Sequence, residues 1–184
     1  MYTSGTTGLP KGAMLTHGNV FWNSINVCFG EDGLSGTTLT CAPLFHIGGL
    51  NVTTLLSLGK GVEVVLLRSF DAGEVLSLIE KHSVTTMFGA PTMFLMMVQD
   101  ESFATRDLSS IVTLTCGGAP VPVPLIKTYG ERGINFCQGY GLTETAPFAS
   151  LLASDLAMVK VGSAGKAPMS VSYTHLTLPT KRIV

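Results

Sequence analysis

Between Thr37 and Cys137, short apolar runs of strand length alternate with stretches of helical period. That alternation limits the possible folds more than any other feature of the chain. Thr37–Ala42, Val62–Leu67, Val84–Phe88, Ile111–Cys116 and Ile134–Cys137 read as strands. Val62–Leu67 is apolar throughout, as suits a strand covered on both faces. Gly49–Leu58 reads as helical, with Leu50, Thr53/Thr54 and Ser57/Leu58 on one side. Asp71 can cap a helix in which Val75, Leu76, Ile79 and His82/Ser83 recur at helical spacing. Pro91 can open a further helix through Met97 or beyond, and Pro124–Glu131 is another. Nearer the start, Asn19 is placed to cap a helix running to about Phe29. Repeated strand–helix–strand order implies right-handed crossovers, and so an α/β fold with a largely parallel sheet and flanking helices.

Composition narrows the class. Only 12% of residues are charged and 46% are hydrophobic, which is apolar for a free-standing domain. A membrane protein or a piece of a larger α/β protein would explain this. No apolar run approaches the ~20 residues of a membrane span. The longest, Leu50–Leu58 and Val62–Leu67, are short and interrupted. No signal peptide precedes the first motif, so a cytoplasmic α/β piece is expected. A net charge of −1 calls for no nucleic-acid partner. Cys28, Cys41, Cys116 and Cys137 form no C-x-x-C pair and read as free thiols, mostly buried.

Four segments carry chemistry. Thr3-Ser4-Gly5-Thr6-Thr7-Gly8-Leu9-Pro10-Lys11-Gly12 mixes hydroxyls and glycines and closes on a lysine. Backbone N–H groups, hydroxyls and an ammonium suit a loop around polyphosphate. The run does not fit G-x-x-x-x-G-K-[ST], because Pro10 precedes Lys11 and Gly12 follows it. Gly117-Gly118-Ala119-Pro120 ends a strand with little side chain, which lets a flat ligand approach the backbone. Gly139-Tyr140-Gly141-Leu142-Thr143-Glu144 sets a ring between glycines, then a hydroxyl donor and a hard oxygen ligand suited to Mg²⁺. Phe45-His46 heads a predicted helix. A lone histidine in an apolar setting is more often a core residue.

The first and third segments, in this order, resemble the phosphate loop and the Y-G-x-T-E motif of the adenylate-forming (AMP-binding) superfamily. Gly117–Pro120 is similar to its adenine-pocket segment. Gly162-Ser163-Ala164-Gly165-Lys166-Ala167-Pro168 is similar to its G-S-x-G-x-P turn, with the proline one position late, and reads as structural. Thr6-Thr7, Leu142 before Thr143, and Phe45-His46 resemble the acyl-CoA synthetase branch.

The resemblance implies an ATP-dependent acid–thiol ligase that activates a carboxylic acid, expected to be a fatty acid, and passes it to coenzyme A. By the same resemblance Ser4, Thr6, Thr7 and Lys11 hold the β- and γ-phosphates, with Thr3, Gly5 and Gly8 shaping the loop. Tyr140, Gly139, Gly141 and Gly117–Pro120 form the adenine pocket. Thr143 holds the α-phosphate, Glu144 with Thr6 the Mg²⁺, and His46 positions the acid; Lys11, His46, Thr143 and Glu144 form the catalytic set. Met93, Phe94, Met96 and Met97 line an acyl tunnel or, the blander reading, pack on the sheet.

Family members are about three times this length and end in a mobile lid that carries a catalytic lysine. Residues 1–170 are therefore expected to be a partial AMP-binding domain lacking that lid, inactive alone. Val171–Thr180 back-translates to a sequence similar to a transposase-end sequencing adapter, so residues 171–184 are set aside as a non-native tail. Two alternatives stay open: a non-catalytic nucleotide-binding module, and a domain activating amino acids or aryl acids.

Overall fold

The computed structural model describes residues 1–3, 8–30, 35–134 and 136–172. Its centre is a six-stranded sheet in the order β4-β3-β5-β6-β7-β8. These are β3 (Thr37–Thr40), β4 (Val64–Leu66), β5 (Val84–Gly89), β6 (Thr113–Gly117), β7 (Phe136–Gly141) and β8 (Phe148–Leu152). Adjacent pairs from β4 to β7 are parallel, and β8 runs antiparallel to β7. The expected α/β class and largely parallel sheet are present. Sequence reading missed β8, whose place depends on the chain doubling back after Gly141.

Successive residues of each strand serve opposite faces. Leu39, Met87, Leu114, Cys116 and Phe136 pack with α4 (Ala72–His82), α5 (Pro91–Gln99) and α6 (Val123–Gly130) in the main core. There Phe94, Tyr129 and Phe136 meet edge to face, with ring centroids 4.9–6.0 Å apart. The Tyr129 hydroxyl donates to the Phe94 carbonyl at 3.1 Å. Cys137, Phe148 and Leu151 point the other way, toward Val27 of α1 (His17–Gly30) and Val52 and Leu56 of a compound helix. That helix comprises α2 (Ile47–Gly49), a π-helical turn over Leu50–Thr54 and α3 (Leu55–Gly59).

Local chemistry explains the boundaries. Asp71 Oδ1 accepts from the Glu74 N–H at 2.8 Å, the expected cap. Pro91 stands at the start of α5 as predicted. Asn19 does not open α1. Thr16 does, its hydroxyl accepting from the Asn19 N–H at 3.1 Å while Asn19 Oδ1 accepts from the Thr16 N–H at 2.9 Å. The reciprocal pair satisfies two donors at once, so the helix begins at His17.

The compound helix also departs from expectation. Its wide turn shifts the phase, so Asn51–Thr54, Leu56 and Ser57 are buried while Leu58 is exposed. Thr54 and Ser57 then meet Thr40 and Thr38 of β3, hydroxyl to hydroxyl, at 2.9 and 2.7 Å. β4 lies at the edge of the sheet, with Leu66 59% exposed, and is not covered on both faces. Phe94 and Met97 are core residues, as the blander reading had it, while Met96 is exposed.

Among the described residues no helix is long and apolar enough to cross a membrane. The proposed tail from 173 onward lies outside the described residues.

Candidate functional site

The connection after β3 steps to β4 on one side, and the next returns across β3 to β5 on the other. In open parallel sheets ligands gather beyond the carboxyl ends of strands near such a reversal. His46, Gly117–Pro120 and Thr143–Glu144 all follow the carboxyl ends of β3, β6 and β7. Phe88, near the end of β5, joins two of these segments. A Cβ added to Gly48 would lie 2.8 Å from its ring, and one added to Gly117 would lie 3.6 Å from it. A side chain at Gly48 would press on this ring, and one at Gly117 would rest against it.

A cleft of about 420 Å³ opens here. Gly118, Ala119 and Pro120 line one side, and Gln138–Leu142 another. The third side is Gly162–Ala164, so the segment read as purely structural also borders the cleft. Gly118 has φ +86°, and a Cβ there would meet nothing within 4 Å. It supplies both a left-handed backbone and open space. Gly117 does something else: its Cβ would stand 3.0 Å from the Gly139 carbonyl, so it sets strand spacing. Tyr140 lines the cleft and is 41% exposed. Cys116 also lines the cleft, and burial pushes its thiol up to about 12, which keeps it neutral.

Sequence reasoning missed Gln138. It lies opposite Cys116 in the β6–β7 register, is buried, and lines the cleft. Its Nε2 has no hydrogen-bond partner among the described residues. The available signal was a polar residue at the end of an apolar strand, just before a tyrosine between glycines.

Thr143–Thr145 forms a single 3-10 turn, with Thr143 half-buried and Glu144 exposed. The Thr145 hydroxyl ties the turn, accepting from the Leu142 N–H at 2.9 Å and donating to the Pro147 carbonyl. His46 is not a core histidine. It is exposed and caps α2, Nδ1 accepting from the Gly48 N–H at 3.1 Å. That bond leaves the neutral ring's proton on Nε2.

Of the phosphate loop, Thr3, Gly8 and Lys11 are described, and Ser4, Gly5, Thr6 and Thr7 lie outside the described residues. Strands β1 (Tyr2–Thr3) and β2 (Lys11–Gly12) pair antiparallel, with Thr3 opposite Lys11. The loop's two ends are thus joined as a hairpin, and Lys11 is exposed. A larger hollow, about 890 Å³, lies between α1 and the 151–169 stretch and includes neither Gly117–Pro120 nor Gly139–Glu144.

Among the described residues no three His, Cys, Asp or Glu side chains gather as a metal cage. Mg²⁺ commonly takes one or two carboxylates and completes its shell with substrate phosphates and water. An exposed Glu144 fits that partial donor set.

Known proteins resemble this chain in sequence and in fold. The sequence model of the family described as "AMP-binding enzyme" matches residues 1–176. A feruloyl-CoA synthase of Amycolatopsis sp is 49% identical over 90% of this chain and 34% of its own length. The long-chain-fatty-acid–CoA ligase FadD13 of Mycobacterium tuberculosis is 40% identical over 92% of this chain and 34% of its own. An o-succinylbenzoate coenzyme A synthetase of Bacillus subtilis, solved with ATP and magnesium ion, aligns with a TM-score of 0.82 at 37% identity, over 92% of this chain and 35% of that one. The chain spans about a third of the length of the curated relatives it matches.

Proposed function

Because the chain belongs to the AMP-binding enzyme family, we propose that it supplies the nucleotide-binding part of an ATP-dependent acid–CoA ligase. The observation that carries this is the cleft: one space bounded by Gly118–Pro120, Tyr140 and Gly162–Ala164, beside the turn bearing Thr143 and Glu144. Tyr140 stacks on adenine, and Gln138, whose amide has no protein partner among the described residues, reads the edge of the base. The hairpin loop, with Lys11 at its base, holds the β- and γ-phosphates. Thr143 donates to the α-phosphate. Glu144, with Thr6, holds Mg²⁺, which offsets phosphate charge when bound.

In the first half-reaction a carboxylate oxygen of the acid attacks the α-phosphorus of ATP. The bond from that phosphorus to the bridging oxygen breaks, releasing pyrophosphate and leaving an acyl-adenylate. The thiol of coenzyme A then attacks the acyl carbon, loses its proton and displaces AMP. The chain's residues contribute mainly by orienting reactants and stabilising charge. His46, with its Nε2 proton directed away from the capping bond, is placed to orient the acid.

The acid is proposed as aromatic, because the feruloyl-CoA synthase is the more identical of the two relatives described. A fatty acid is the second reading, favoured by FadD13 at 40% identity. A parent enzyme containing this chain, assayed for AMP release with ferulate, indoleacetate and palmitate, separates the two. ATP binding with no AMP release from any of the three acids would point to a non-catalytic nucleotide-binding module instead. In the chain itself, Tyr140→Ala is expected to weaken ATP binding about 5- to 100-fold, the loss of one base–aromatic stack. Unchanged affinity in a titration would remove Tyr140 from the adenine site.

A further inference from the structure

Asn51 lies five residues beyond His46, in the π-helical turn, and is 2% exposed. Its Nδ2 donates to the carbonyl of Ala146 at 3.4 Å. Its own backbone carbonyl accepts from Asn23 Nδ2 of α1 at 2.7 Å. Ala146 ends the Thr143–Thr145 turn with φ +67°, left-handed backbone that a residue with a Cβ adopts at an energetic cost. The side-chain oxygens of Asn23 and Asn51 have no partner among the described residues. An apolar pair would bury more cheaply. What the two amides contribute is the pair of donated bonds, which run from α1 through the His46 helix to the turn.

We propose that Asn51 is a positioning residue: with its backbone carbonyl anchored to α1 by Asn23, its buried side-chain amide holds Ala146 in its left-handed conformation and so fixes the turn that presents Thr143 and Glu144. This rests on the reading of Thr143 and Glu144 as phosphate and metal ligands. It adds that His46 and this turn move as one unit, because a single short segment carries both His46 and the donor to Ala146.

The test has two arms in the 184-residue chain. In Asn51→Leu, hydrogen exchange is expected to speed up about tenfold at the Leu142, Thr145 and Ala146 amides, with Met87 and Leu114 of the central strands changing little. Equal acceleration at the central amides, or none at the turn, overturns the proposal. ATP with Mg²⁺ is then titrated, and affinity is expected to fall about 5- to 10-fold in the variant. A variant that binds as tightly as the wild type also overturns it. If the wild-type chain binds no ATP, the assignment of Thr143 and Glu144 fails, while the exchange arm still decides whether Asn51 holds the turn. If Asn51→Leu does not fold, the wild-type protein supplies the answer: a scalar coupling across the hydrogen bond between Asn51 Nδ2 and the Ala146 carbonyl supports the proposal, and its absence refutes it.

Discussion

Gly118→Ala and Gly133→Ala form a matched pair that separates backbone strain from occupation of the cleft. Gly118 has φ +86° and Gly133 φ +75°, and a Cβ at either would meet nothing within 4 Å. Neither methyl clashes with the described residues, so the stability loss at both sites is assigned to the left-handed backbone. That loss is about 1–2 kcal/mol. For a domain of this size it lowers the melting temperature by about 2–8 °C. The two sites differ in place. Gly118 lines the cleft beyond β6, whereas Gly133 lies in the turn before β7, at the other end of these parallel strands. A methyl in space that a base must occupy costs about 1–3 kcal/mol in overpacking. AMP affinity in Gly118→Ala should therefore fall about 5- to 150-fold, and in Gly133→Ala by less than about twofold. Circular dichroism melting and calorimetric titration with AMP measure both quantities. Equal AMP affinity in the two variants would refute the placement of adenine beside Gly118. A Gly118→Ala protein that melts with the wild type would refute the strained backbone.

Phe94→Ala removes a fully buried ring that meets Tyr129 and Phe136, so a loss of about 3–5 kcal/mol is expected in urea unfolding; a loss under 1 kcal/mol would contradict that packing. Glu80, Asp100 and Asp107 are held below the usual carboxylate range, chiefly by side-chain hydrogen bonds from Arg106, Ser102 and Ser109 respectively. The folded state releases these protons more readily than the unfolded state, so the stabilisation is present above the ordinary carboxylate pKa and is lost as pH falls below about 4. Glu80→Gln should flatten this acid limb, and an unchanged pH–stability curve would count against the Arg106 pairing. Burial pushes the Cys41 and Cys116 thiols up to about 12, while Cys28 is half-buried. Native alkylation at pH 8 should label Cys28 first and leave Cys41 and Cys116 unmodified by mass spectrometry; early modification of either would show that it is accessible.

What the sequence made legible was local. Asp71 and Pro91 announce helix starts because a cap and a fixed φ act within one turn. Tyr140–Glu144 and Gly117–Pro120 stood out because adjacent residues define each segment, and the structure sets Tyr140 and Gly118–Pro120 on one cleft. Most of the misreadings depend on distant partners. The phase of Leu50–Leu58 is set by hydroxyl contacts with β3. The exposure of β4 follows from strand order. β8 exists because Gly139 pairs with Leu151 after the chain turns back. Thr16 and Asn19 are both good caps, and only the geometry shows that each satisfies the other. Gly162–Ala164 reads as a turn, and its place on the cleft depends on Leu151 pairing with Lys166.

The hairpin of β1 and β2 stands apart from the six-stranded sheet and has only two residues in each strand. Among the described residues it shares no backbone pairing with the core, and an isolated two-stranded ladder is marginally stable in water. Heating should therefore release the Thr3–Lys11 closure well before the rings of Phe94, Tyr129 and Phe136 separate. If the loop it closes holds phosphate as proposed, that hold should be lost at a lower temperature than the fold.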